Sequence, residues 1–273
     1  MKTMLTLLAV LAQATFSSRV DAVRVDVLVT DNGKPVLGLT PADFEILDNG
    51  VPQQVELVSF DQVPLNVVLV FDMSDSVEGD RRDSLLEGAG TLLGGLKPDD
   101  QAALITFSHV VNRGARLTRD VASVRAALES AEGIGETALV DGTFAGMMVG
   151  ESDIGRGLLI VFSDGVDTSS WLPAASVLDT AKRSGVVAYG VSVRSRVQPE
   201  FLEELTSLTG GRLFEVERAQ NLEYVFLGVL EEFRHRYLVS YTPRGVSRVG
   251  WHQLDVRVKG RRTVKARPGY LAG

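Results

Sequence analysis

Asn66-Val67-Val68-Leu69-Val70-Phe71-Asp72-Met73-Ser74-Asp75-Ser76 is the stretch that decides the fold. Its apolar half has the length and β-branched content of a strand buried on both faces. Such a strand needs helices above and below it, which predicts an open α/β sheet. In those sheets ligands bind beyond the carboxyl ends of the strands, where the strand order reverses. The stretch ends there with one carboxylate, Asp72, and two hydroxyls, Ser74 and Ser76. All three are hard oxygen donors, suited to Mg²⁺, Mn²⁺ or Ca²⁺ and poorly suited to zinc or copper.

On the C-terminal side the pattern alternates strand and helix, the mark of βαβ units. Strands are expected at Val67–Phe71, Ala102–Phe107, Leu158–Phe162, Val186–Val193 and Arg212–Val216. Helices are expected at Arg81–Leu96, Val121–Ser130, Leu139–Val149, Ala174–Ser184, Pro199–Leu208 and Leu222–Arg236. The short run Val110–Leu117 reads as an antiparallel strand on the sheet edge. The fold expected is a Rossmann-like, doubly wound, mostly parallel sheet of six strands with one antiparallel edge strand.

Both ends of the chain are β-rich. Val23–Thr30 alternates strictly between apolar and polar residues, as a half-buried strand does. Asp43–Leu47 and Gln53–Phe60 follow as strands joined by Asp48-Asn49-Gly50-Val51-Pro52, and Asn-Gly is a strong hairpin signal. Tyr237–Tyr241, Gln253–Val258 and Thr263–Ala266 read as three more, with Lys259-Gly260-Arg261-Arg262 as a basic turn. Chain termini commonly lie close together, so the two ends are expected to combine into a small β-sandwich-like module. The division expected is 1–22 signal peptide, 23–62 and 236–273 the two parts of the β-module, and 64–235 the α/β domain.

Two segments complete the oxygen cluster. Thr137, in Gly135-Glu136-Thr137-Ala138-Leu139-Val140-Asp141, lies just before the third middle helix. Asp164 ends a second apolar strand, Leu159-Ile160-Val161-Phe162-Ser163-Asp164. Adjacent parallel strands lie about 4.8 Å apart, so Asp72 and Asp164 can serve one ion if their strands are neighbours. The order Asp72-x-Ser74-x-Ser76, Thr137, Asp164, with Ser-Asp-Gly-x-Asp-Thr at 163–168, resembles the metal-ion-dependent adhesion site (MIDAS) of von Willebrand factor type A (VWA) domains. The resemblance covers roughly residues 64–235. It extends to exported bacterial proteins of this family, in which a segment like Val36-x-Gly38-Leu39-Thr40-x-x-Asp43-Phe44 precedes the domain. One like Arg267-Pro268-Gly269-Tyr270 closes the chain. It implies that Ser74, Ser76 and Thr137 bind the metal through hydroxyls, and Asp72 and Asp164 directly or through water. Mg²⁺ is the ion first expected, with Mn²⁺ or Ca²⁺ as alternatives. A site built mainly of neutral hydroxyls leaves the ion attractive to a partner's Asp or Glu. Asp75 stands where these domains often have Gly, and is first expected to point to solvent. It is also a possible rim residue, whose extra carboxylate beside the ion would raise metal affinity or favour Ca²⁺ and weaken attraction for an acidic ligand.

The rest of the sequence narrows the function. The chain has 273 residues, 45% hydrophobic and 23% charged, with a net charge of −7, enough for one large domain plus a smaller one. Its basic residues form no stripe, which argues against nucleic acid as a partner. Lys2, an apolar core at Met4–Ala12 and small residues before Val23 read as a secretory signal; the alternative is an apolar N-terminal strand or helix. That core, about nine residues, is too short to span a bilayer, and no later stretch qualifies, so a periplasmic or secreted protein without an integral membrane segment is expected. Cysteine is absent, which excludes disulfides, thiolate metal sites and a lipoprotein anchor. Of the three histidines, His109 follows a strand end, where a solvated loop position is first expected and a rim position is the alternative, while His235 and His252 are expected at the surface. None lies in a catalytic motif, and no enzyme is expected. A phosphatase-like hydrolase using Asp72 as nucleophile would need an acid two residues on, where Ser74 stands. A domain that keeps the fold with an unused metal site is the other alternative. The sequence leaves the oligomeric state open.

Overall fold

The computed structural model describes residues 22–60, 62–151, 154–163, 166–193, 198–260 and 262–273. The expected signal segment, apart from Ala22, lies outside the described residues, and so does Asp164. Five strands come first: β1 (Val23–Asp31), β2 (Lys34–Pro35), β3 (Phe44–Asp48), β4 (Val51–Gln53) and β5 (Val55–Phe60). The middle then runs β6 (Leu65–Asp72), α1 (Asp80–Gly94), β7 (Gln101–Phe107), β8 (Val111–Thr118), α2 (Val121–Glu129) and α3 (Leu139–Gly150). It continues with β9 (Arg156–Phe162), α4 (Ala174–Arg183), β10 (Val187–Val193), α5 (Glu200–Thr209), β11 (Leu213–Val216) and α6 (Leu222–Arg234). Strands β12 (Arg236–Tyr241), β13 (Gly250–Val258), β14 (Thr263–Lys265) and β15 (Gly269–Ala272) follow.

The central sheet has the order β11-β10-β9-β6-β7-β8. All neighbours are parallel except β8, which runs antiparallel to β7 at the edge, as the sequence predicts. Every residue of β6, β9 and β10 is buried. The alternating side chains of β6 explain why: Val67, Leu69 and Phe71 belong to a core cluster with residues of α1, α2 and α6, whereas Val68 and Val70 belong to a second one with residues of α3, α4 and α5. Burying each such side chain stabilises the fold by about 1.5–3 kcal/mol, so β6 needs both helical layers. After β6 the chain moves outward through β7 and β8, then returns to place β9 on the other side of β6. The switch in strand order falls between β6 and β9, with Phe71 opposite Phe162.

The two ends of the chain form two antiparallel sheets. One has the order β14-β1-β12-β5, with β2 on β1; the other is β15-β13-β3-β4. Their inner faces share a core that includes Val25, Val27, Phe44, Ile46, Tyr237, Val239 and Leu254. The Asn49-Gly50 turn joins β3 to β4 with positive φ at both residues (49° and 79°), as the hairpin signal requires.

Among the described residues, the ties between this sandwich and the α/β layer include the following three. Asp26 of β1 pairs with Arg156 at the start of β9, and both are buried. Arg236 donates to the hydroxyl of Tyr189 in β10 (3.0 Å). Arg267 caps the exposed carbonyls at the end of α4, donating to Lys182 O (2.8 Å) and Ser184 O (2.7 Å).

Four expectations are corrected. The run Gln53–Phe60 is not one strand: it splits at Gln54 between the two sheets, Gln53 being held at the edge by hydrogen bonds with Arg244. The last helix stops at Arg234, and Arg236 already belongs to β12, where its side chain is buried. A strand the sequence reading missed, β15, pairs with β13. His252 is not a surface residue but lies inside the sandwich, bonded to Asp48.

Candidate metal centre

Asp72 is the last residue of β6 and its side chain is completely buried. Oδ1 accepts the backbone N–H of Ser74 (2.9 Å), which folds the chain back over the carboxylate in a tight turn. Oδ2 accepts the hydroxyl of Ser163 (2.7 Å), the first residue after β9. The carboxylate thus bridges the two strands that flank the switch in strand order. Beyond it the hydroxyls of Ser74 and Ser76 lie 3.1 Å apart, Ser74 buried and Ser76 exposed. Neighbouring ligands of an octahedral ion at about 2.1 Å are separated by about 3.0 Å, so this pair fits adjacent positions around Mg²⁺. The donors are all oxygen, which suits a hard cation.

Thr137 reaches this rim on the loop before α3. Its N–H donates to the Thr168 hydroxyl (3.0 Å), and its carbonyl accepts from the N–H groups of Thr168 (2.9 Å) and Ser169 (3.2 Å). The next residue, Ala138, donates to Ser108 O after β7 (2.7 Å). Met73 N–H donates to Phe107 O (2.7 Å), so the loops after β6, β7 and β9 and the loop before α3 form one bonded rim. A close approach fixes that packing: a Cβ on Gly133 would stand 2.1 Å from Met73 O, so only glycine fits there.

Asp75 and His109 both differ from a simple solvated reading. Asp75 is exposed, but its Oδ1 accepts the Gly135 N–H (2.6 Å) and its own N–H donates to Gly135 O (3.3 Å). The expectation that it points to solvent is corrected: it clamps the loop that carries Thr137. His109 Nδ1 lies 2.7 Å from Ile134 O and holds the same loop from the β7 side. Asp72, Ser74 and Ser76 are therefore brought together, Thr137 sits on the adjoining loop, and Asp75 and His109 fix that loop.

Several rim residues went unnamed as site residues in the sequence. Ser163 orients Asp72, and Thr168 pins Thr137; both lie in the 163–168 stretch whose pattern carried the resemblance. Asp167 Oδ1 accepts the Val140 N–H at the start of α3 (3.1 Å) and the Ser170 hydroxyl (2.5 Å). Asp141 accepts the N–H groups of Trp171 and Leu172 (both 2.9 Å). Asp167 answers an unpaired amide at the start of α3 from a distant loop, and Asp141, at that helix start, reaches out to the loop amides instead, so sequence position alone marked neither.

The fold is that of a von Willebrand factor type A domain, and the sequence profile of that family matches residues 66–227. The chain belongs to this family. No curated protein matches it by sequence. Among solved structures, proximal thread matrix protein 1 from the mussel byssus, solved with a zinc-occupied MIDAS motif, gives a TM-score of 0.58 at 16% identity. That match covers 68% of this chain and 49% of that one. A von Willebrand factor type A protein from Catenulispora acidiphila gives 0.54 at 11%, over 89% and 76% of the two chains. BatB from Bacteroides thetaiotaomicron gives 0.50 at 16%, over 62% and 98%. The chain spans about half the length of the mussel protein. At these identities the likeness is one of fold. Among the described residues no helix is long and apolar enough to cross a membrane.

Proposed function

We propose that this protein is an exported, non-enzymatic interaction module that holds a divalent cation, Mg²⁺ first, and uses it to recognise an Asp or Glu of a partner protein. The observation that carries the reading is the pair of serine hydroxyls 3.1 Å apart beside the buried Asp72 carboxylate. Ser74, Ser76 and Thr137 would hold the ion with Asp72 and Asp164. When bound, the ion supplies a positive centre for a partner carboxylate. Asp72 keeps Ser74 in place through its N–H bond, and Ser163 keeps Asp72 in place. Asp75 and His109 hold the Thr137 loop against the rim. We assign residues 64–235 to the recognition unit and 23–62 with 236–273 to its β-module, with residues 1–22 as an export signal.

Titration calorimetry of Mg²⁺, Mn²⁺ and Ca²⁺ against the wild type and Asp72→Ala tests this. Binding to the wild type that is lost in the variant is expected; no metal-dependent heat in the wild type rejects the reading. Partner binding should disappear in EDTA while the fold stays intact.

A further inference from the structure

Trp171 is 92% exposed, more than any other large hydrophobic residue described. Single exposed apolar residues are ordinary on protein surfaces. Here they are grouped: Val110, Ile134, Val166, Trp171 and Leu172 are all exposed, and all lie on the loops that form the metal rim. These loops are linked by the bonds from Ala138 to Ser108, His109 to Ile134 and Thr137 to Thr168. The loop that presents Trp171 is also held rigid. Asp141 takes the N–H groups of Trp171 and Leu172, and Ser170 is tied through Asp167 to the start of α3. An indole held in water on a fixed backbone loses little conformational freedom when a partner covers it, which is the property of an interface anchor.

The charges on the rim define what can cover it. Glu132 and Glu136 are exposed on the Ile134 loop, and Glu78 follows Ser76 and Val77. A densely acidic segment would be repelled by them, whereas one carboxylate aimed at the cation would not. The stretch Ser169-Ser170-Trp171-Leu172-Pro173 carries no charge. We propose that the partner presents a single Asp or Glu between an apolar side chain, which packs on Trp171, and a basic one, which faces the Glu132–Glu136 loop. This rests on the metal-dependent reading above and specifies its partner.

The probes are two synthetic peptides: Gly-Ser-Phe-Glu-Lys-Ser-Gly and the same peptide with Ser for Phe. Binding is read in saturating Mg²⁺ by the emission of Trp171 in a Trp251→Phe background, and by anisotropy of the labelled peptides for Trp171→Ala. The Phe peptide should bind and shift the indole emission to the blue. Affinity should fall about tenfold on replacing Phe by Ser or Trp171 by Ala. Mg²⁺ affinity, measured separately, should be unchanged in Trp171→Ala. Equal affinities, or no peptide binding while Mg²⁺ binds, overturn the inference and leave the metal site standing. Absence of Mg²⁺ binding in the wild type overturns both.

Discussion

Among the described residues two completely buried aspartates, Asp48 and Asp72, end strands, and their surroundings differ. Asp48 closes β3 beneath aromatic rings: Tyr241 and Tyr270 donate to Oδ2 (2.8 and 2.9 Å), and His252 Nδ1 lies 2.7 Å from Oδ1. The His252 ring stacks on Tyr270 with centroids 4.6 Å apart, sealing the carboxylate from water. Asp72 closes β6 beside Ser74 and Ser163, its Oδ1 accepting the backbone N–H of Ser74 and its Oδ2 the hydroxyl of Ser163. Large partners turn a strand-end carboxylate into a structural tie. Beside Asp72 the partners are small, and the hydroxyls of Ser74 and Ser76, 3.1 Å apart, supply further oxygen donors. Only the Asp72 neighbourhood lies at the switch in strand order, where the loops of a parallel sheet diverge.

The largest test of this contrast exchanges stability for binding. Asp48→Ala strips the partner from two tyrosines and a histidine and should destabilise the protein by about 3 kcal/mol in urea unfolding, with Mg²⁺ affinity unchanged. Asp72→Ala should abolish Mg²⁺ binding yet cost the metal-free protein only about 1–2 kcal/mol, because the partners it leaves, the Ser163 hydroxyl and the Ser74 amide among them, are small groups that can re-pair. If both variants lose stability and neither alters metal binding, the contrast fails.

An alkaline titration sharpens it further. Burial, then the bond to Asp48, pushes the Tyr241 and Tyr270 hydroxyls far above the usual tyrosine range. Their folded values exceed the unfolded value of about 10, so the stability they confer is present below that pH and is lost as pH rises past it. Lys265 works in the opposite sense: burial lowers its ammonium from 10.5 to about 8. The unfolded chain therefore binds the extra proton between those values, and Lys265 makes stability rise with pH over that window. Lys265→Met should raise stability at pH 7 and flatten this rise; unfolding curves from pH 7 to 11 would show a maximum near 10 in the wild type. The smallest effect belongs to Asp75→Ala, which frees the Gly135 amide. It should weaken Mg²⁺ binding a few-fold and change stability by less than about 0.5 kcal/mol; unchanged metal affinity would show that the clamp on the Thr137 loop is idle.

The sequence disclosed the rim far better than it disclosed the base. Asp72, Ser74 and Ser76 could be singled out as candidates because a doubly buried strand announces its own end, where ligands gather. Thr137 was singled out as a hydroxyl on the loop before a helix and by the family resemblance. The alternation from Val67 to Val216 gave the six-stranded sheet for the same reason, since burial on both faces leaves a local signature. The Asp48 cluster left none. Asp48, Tyr241, His252 and Tyr270 come from four strands, and only the pairing of β3 with β13 and of β13 with β15 brings three of them together. His252 looked like a surface residue because a single histidine in a strand carries no mark of its partner. The motifs at Val36–Phe44 and Arg267–Tyr270 were visible, but their use was not. Thr40 and Asp43 close a short turn, Arg267 caps α4, and Tyr270 reaches Asp48.

The most direct measurement is the electron paramagnetic resonance of Mn²⁺ titrated into the wild type, Ser74→Ala/Ser76→Ala and Asp48→Asn. One Mn²⁺ bound per wild-type chain and per Asp48→Asn chain, with none retained by the double serine variant, is the result predicted. Mn²⁺ held equally by the double serine variant, or by none of the three proteins, would contradict a cation site built on the Asp72 rim.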